Sequence, residues 1–132
     1  MWKAAALALS VLALSGCGRP AVGVVDTQRI LNESVLALSY QKELNDREKL
    51  MAAELAAAAA RLSPQALEQQ RQAYLLELQR LKQELEDRLN RRVREAVAEV
   101  AQRERVRIVL VKSGVHSGNV RDLTDQVIER LK

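Results

Sequence analysis

Through the middle of the chain, apolar and polar residues alternate with a helical period. From Val35 to Arg105 the apolar positions recur every eleven residues, with one interruption at Ser63-Pro64. Before the interruption the pattern runs through Tyr40, Met51 and Leu62, and through Leu44 and Leu55. After it the pattern runs through Leu67, Leu78, Leu89 and Val100, and through Tyr74, Leu85 and Ala96. Eleven residues in three turns is about 3.67 per turn, close to a straight helix, so each segment keeps a nearly fixed apolar stripe along which two antiparallel helices can pair. Ser63 as N-cap and Pro64 at the first helical position predict a sharp tip at 62–65. The expected element is a helical hairpin arm over 35–105. Its first helix, from Val35 to Leu62, would be roughly 42 Å long at about 1.5 Å per residue. Such a hairpin buries one seam and leaves the rest wet, so it needs a base.

The flanking segments supply one. Val22-Gly23-Val24-Val25 is a short run rich in β-branched residues and reads as a buried strand. Asp26 or Thr27 can cap a short helix from Gln28 to Asn32. Val106 to Val111 reads as a second strand that ends in a turn at Lys112-Ser113-Gly114, and Val115-His116 is placed as the stub of a third. From Leu123 to Lys132, with Val127, Ile128 and Leu131 on one face and Asp122 or Thr124 as cap, an amphipathic helix is expected. The fold class is therefore α+β, mostly α: a long antiparallel helical hairpin projecting from a small β-containing body over 21–34 and 106–132. Two or three short strands are marginal alone and their edges invite pairing, so the body is expected to oligomerise.

The N-terminus has a different pattern. Met1-Trp2-Lys3 is a short positive start, Ala4 to Leu14 is apolar throughout, and Leu14-Ser15-Gly16-Cys17 follows. The run is too short to span a bilayer, which takes about 20 apolar residues, and reads as a secretory leader over 1–16. The small residues before the lone cysteine resemble the lipobox of bacterial lipoproteins. That resemblance implies cleavage before Cys17, its acylation, a tether over 17–20, and a mature chain outside the cytoplasm. Gly18 after the cysteine, by resemblance to lipoprotein sorting rules, points to the outer membrane. Acylation would leave no thiol for disulfide or redox chemistry.

Composition narrows the chemistry. Without residues 1–16 the chain keeps 20 of its 21 basic side chains against 17 acidic ones, has no Phe or Trp, and has only two Tyr. A large core is excluded. Near-balanced charges at helical spacing, such as Glu84 with Arg88, Asp87 with Arg91 and Glu99 with Arg103, read mainly as a solvated face with weak i,i+4 support. Arg88, Arg91, Arg92 and Arg94 form the densest basic cluster. It could meet lipid or lipopolysaccharide phosphate, but it fits better a helix surface balanced by neighbouring carboxylates, and no motif supports nucleic-acid binding. The single histidine, His116, has no second histidine or free cysteine for a metal site. No phosphate loop, cofactor motif or activated nucleophile is recognisable, so an enzyme is not expected.

Val25-Asp26-Thr27-Gln28-Arg29-Ile30-Leu31-Asn32-Glu33-Ser34, the charged hairpin, Ile108-Val109-Leu110-Val111 and Val120-Arg121-Asp122-Leu123-Thr124-Asp125-Gln126-Val127-Ile128 resemble the Skp/OmpH family of periplasmic chaperones. The resemblance implies a homotrimer whose strands join in a small barrel. Its three arms would enclose a cavity that holds unfolded outer-membrane β-barrel proteins without ATP. This chain departs from the family in its shorter arms, in a trimmed segment from Lys112 to Gly118, and in the acylated N-terminus. Apolar residues left over once the seam is assigned are Leu50, Ala53, Ala57 and Ala60 before the tip, and Ala73, Leu75 and Leu76 after it. Leu50, Ala53, Ala57, Leu75 and Leu76 are the candidate client-binding residues, expected on one flank of the arm; packing within the hairpin or against a neighbouring arm is the equal alternative. The competing function is a structural coiled-coil lipoprotein, a spacer or assembly scaffold for one folded partner.

Overall fold

The computed structural model describes residues 18, 22–114 and 118–132. The leader, Cys17, most of its tether and the pair Val115-His116 lie outside the described residues. Strand β1 (Val22–Val25) is followed by α1 (Thr27–Glu33), α2 (Val35–Ala59), α3 (Pro64–Glu104) and β2 (Ile108–Val111). A 3-10 turn (Lys112–Gly114), β3 (Val120–Asp122) and α4 (Thr124–Arg130) complete the order. This is an α+β chain dominated by two helices of 25 and 41 residues.

Local chemistry sets each boundary. The Asp26 carboxylate accepts from the Arg29 amide at 3.1 Å and starts α1. Ser34, fully buried, both ends α1 and starts α2: its amide donates to the Ile30 carbonyl, and its hydroxyl accepts from the Ala37 amide. At the tip, Ser63 accepts from the Ala66 amide at 3.2 Å and Pro64 opens α3, where its missing N–H costs nothing. Helix α3 ends at Arg105 in the left-handed conformation (φ 56°), with Val106 donating to the Ala101 carbonyl and Arg105 to the Gln102 carbonyl. This is a Schellman closure built on arginine rather than the usual glycine. It also delays β2: Val106 is occupied with the helix cap, and the strand begins two residues later than its apolar run predicts.

The sheet has the order β2-β1-β3, and both pairings are parallel, with Val22 opposite Ile108 and Val120. The stub expected at Val115-His116 lies outside the described residues, among which the third strand is Val120–Asp122. It forms where a charged segment finds backbone partners along β1, a pairing that an apolar-run criterion does not detect. Gly23 is required in β1 by a close approach: a Cβ there would lie 2.7 Å from Leu123 Cδ1 and 3.1 Å from Val106 Cγ1.

One face of this sheet is covered by the lower part of α3 together with α1 and α4. Val25, Ile30, Ala96, Val100, Val106, Leu123, Val127 and Leu131 form the core. Helix α4 starts after Leu123, and its first turn is secured by Asp122, which accepts from the Thr124 amide at 3.0 Å and hydroxyl at 2.6 Å. The buried Thr124 hydroxyl in turn accepts from the Asp26 amide at 2.9 Å, tying α4 to the end of β1. These bonds hold the Asp122 carboxyl below its ordinary range, the Thr124 hydroxyl being the largest cause and the Lys112 ammonium at 3.4 Å a lesser one. The Leu36 amide donates to the Leu131 carbonyl, which fixes the root of the arm to the end of the chain.

Candidate functional site

Helices α2 and α3 pair along the predicted seam. Met51, Leu85, Ala96 and Val100 are buried, while Tyr40, Leu44, Leu55, Leu67, Tyr74, Leu78 and Leu89 are half-buried. Leu62 is the exception, 40% exposed where the chain turns. Cross-arm polar contacts frame the seam. The Arg47 guanidinium meets the Glu77 carboxylate at 2.5 Å, and the Tyr74 hydroxyl donates to Glu54 at 2.5 Å. Each raises the pKa of its donor, Arg47 through the bond to Glu77 and Tyr74 chiefly through the bond to Glu54. Lys42 and Asp46 pair along α2, and that bond lowers the Asp46 carboxyl.

The candidate client-binding residues are exposed. Leu50 is 49%, Leu75 55% and Leu76 57% exposed, and Ala53, Ala57, Ala60 and Ala73 are also on the surface. Packing within the hairpin therefore does not account for them. They do not share one flank, however, and helix phase explains why. Leu50 lies in a groove of about 770 Å³ with Arg47, Glu77, Leu81 and Glu84, so it belongs to the flank on which Glu77 faces α2. At roughly 100° per residue from the seam position Tyr74, Leu75 turns to the other flank and Leu76 to the back of α3. Ala57 lies near the tip with Glu54 and Tyr74, on the Leu50 side. Counting from Met51 in the same way puts Ala53 on the back of α2. The expected stripe is thus distributed around the arm, with apolar patches on both flanks and on the back.

A second groove, of about 420 Å³, occurs on the opposite flank at the root of the arm, lined by Leu31, Tyr40, Leu44, Leu85 and Leu89. Sequence reasoning missed it because four of these residues belong to the seam, and only Leu31, 41% exposed beside the α1–α2 junction, signals that the seam is open there. Part of the arginine cluster is committed locally. Arg88 stacks over the Tyr40 ring at 5.2 Å, and Arg92 pairs with Glu95 at 2.6 Å. Of the expected i,i+4 pairs, Glu84 with Arg88 is present at 3.9 Å. Glu99 turns instead to Arg130 at 2.5 Å, because α4 docks beside it, and Asp87 accepts from Gln83.

At the base, β2 has a strand, β1, on one side only among the described residues, and carries three exposed large apolar side chains, Ile108, Leu110 and Val111. Leu31, Val35 and Leu38 extend the exposed apolar surface up the root of the arm. Among the described residues no group of acidic, histidine or cysteine side chains could hold a metal ion, and no helix is long and apolar enough to cross a membrane.

Over residues 63–131, just over half of the chain, the sequence matches the family model described as Outer membrane protein (OmpH-like). The chain belongs to the OmpH-like family. The matched span runs from the cap of α3 through the end of α4, so it takes in the descending helix of the arm and most of the body. No curated protein matched the sequence. Family membership gives the chain a periplasmic, chaperone-type role in general.

Proposed function

We propose that this OmpH-like protein is an ATP-independent holdase that binds unfolded outer-membrane β-barrel proteins, held at a membrane, the outer one, by an acylated Cys17. The observation that carries it is the arm itself: a rigid hairpin whose seam is closed but which still presents Leu50, Leu75, Leu76, Ala53 and Ala57 to solvent. A surface of small, separated apolar patches among charges suits weak, multiple and exchanging contacts with an extended chain, not a single pocket. Patches around the whole arm suit a client enclosed by several arms. The open edge of β2, with its exposed Ile108, Leu110 and Val111, supports assembly of copies at the base as a homotrimer.

The test is an aggregation assay in which a urea-unfolded outer-membrane barrel protein is diluted into the acyl-free chain, after the mass of that chain has been measured by light scattering. Suppression near one assembly per client is expected for several unrelated barrels. A scaffold for one folded partner would leave all of them to aggregate. Leu75→Ser with Leu76→Ser removes two half-exposed contacts worth about 1 kcal/mol each, so client affinity should fall by tenfold or more. Unchanged affinity with intact helicity would remove these residues from the binding surface.

A further inference from the structure

The three parallel strands give the body two unlike poles. Their C-terminal ends lead into α1, the 3-10 turn and α4, and the arm rises from that pole. Their N-terminal ends are entered from the segment before Val22, from Arg107 and from Asn119, and no described helix leaves this pole. Arginines collect there. Arg103 lies in the last turn of α3, Arg105 takes the left-handed cap position and Arg107 immediately precedes β2; all three are exposed. Among the described residues none of them forms an ion pair, because the nearby carboxylates are engaged elsewhere. Glu104 holds Arg121 at 2.5 Å and accepts from Gln126, and Glu99 holds Arg130. The expected partner of Arg103 is thus taken by α4.

Cys17 precedes Val22 by five residues, a reach of at most about 17 Å even when fully extended. We infer that this pole is a membrane-facing surface, on which Arg103, Arg105 and Arg107 bind the phosphates of anionic lipid head groups and stand the arm away from the bilayer. The inference rests on the proposed acylation of Cys17 for its biological setting, although the surface itself is formed by the folded body. Acyl chains on a short tether hold a protein near a membrane without fixing its orientation, whereas guanidinium groups at one pole do both. Each planar guanidinium can take two phosphate oxygens at once. A basic residue at an anionic surface contributes about 1 kcal/mol, or roughly fivefold in partitioning.

The experiment uses the acyl-free mature chain carrying Cys17→Ser and sedimentation with vesicles of phosphatidylglycerol mixed with phosphatidylcholine, against phosphatidylcholine alone. Binding to the anionic vesicles only, weakening with salt, is expected. Arg103→Gln with Arg107→Gln should lose about 25-fold. Arg91→Gln with Arg94→Gln, which removes the same charge from the arm, should change binding by less than about twofold because those groups lie beyond a Debye length from the surface. Arg103→Lys with Arg107→Lys keeps the charge and should retain most binding, which separates a lost contact from a lost fold. Equal losses from the arm and pole pairs, or no preference for the anionic vesicles, would overturn the inference. Detergent-phase partitioning of the unmodified protein tests the anchor separately: an unacylated Cys17 beside intact, pole-dependent vesicle binding would remove the anchor and keep the surface.

Discussion

The body and the arm are held together by different means. In the body, Ile30, Leu123, Val127 and Leu131 are at most 1% exposed, and they interlock with Gly23, whose missing side chain makes room for Leu123. Buried hydroxyls of Ser34 and Thr124 satisfy backbone groups at the helix ends. In the arm, Met51 and Leu85 are the buried side chains between Leu38 and Leu89, and the polar contacts across the seam are exposed. A core of the first kind specifies one arrangement and tolerates little change in volume. A seam of the second kind keeps two rods aligned while most of each rod's surface remains free to vary. The candidate contact residues thus lie where stability depends on them least.

That contrast can be broken most sharply at Leu123. Leu123→Ala removes a fully buried side chain from the junction of sheet and α4 and should cost about 3 kcal/mol, seen as a lower denaturant midpoint; a loss under about 1 kcal/mol would mean the body packs as loosely as the arm. At the tip, Ser63→Ala deletes the cap of α3 and should cost about 1 kcal/mol of local stability. Hydrogen exchange should then quicken at Ala66 and its neighbours and stay unchanged in α4. The smallest effects are electrostatic. Arg47→Ala breaks an exposed pair and should leave the denaturant midpoint close to that of the parent protein. Asp122 sharpens the contrast by pH. Its folded pKa lies below the ordinary 3.8, so its contribution is present above that value and is lost as pH falls through the folded pKa. Asp122→Asn should flatten the acid limb of the stability curve below the ordinary carboxylate pKa of 3.8, measured by chemical denaturation.

Much of this architecture was legible in residue order alone. The seam, the tip at Ser63-Pro64, β1 and the last helix follow from local signals, namely periodicity, capping side chains and β-branched runs, and the chain reads them out without tertiary help. Two features did not follow. Strand β3 consists of Val120, Arg121 and Asp122, two of them charged, and exists because β1 offers it a backbone edge; a three-residue edge strand leaves no periodic mark. The distribution of Leu50, Leu75 and Leu76 around the arm depends on the relative phase of α2 and α3, set by which face of each helix closes on Met51 and Leu85. Residue spacing along each helix carries no record of that rotation. The resemblance of Ile108–Val111 and of Val120–Ile128 to OmpH-like proteins agrees with the family match over 63–131, which does not extend to Val25–Ser34 or α2.

The position of β1 at the centre of the sheet determines the order in which the molecule can be built. Its neighbours, β2 and β3, begin 86 and 98 residues later in the chain. A polypeptide delivered to the periplasm from its N-terminus can zip α2 against α3 through contacts close in sequence, but Val22–Val25 must wait, unpaired, until Ile108–Val111 has arrived, and its second edge until Val120–Asp122 follows. These separations favour assembly from the tip toward the root. A chain interrupted before Val120 would emerge with finished limbs and with β1 still open along one edge.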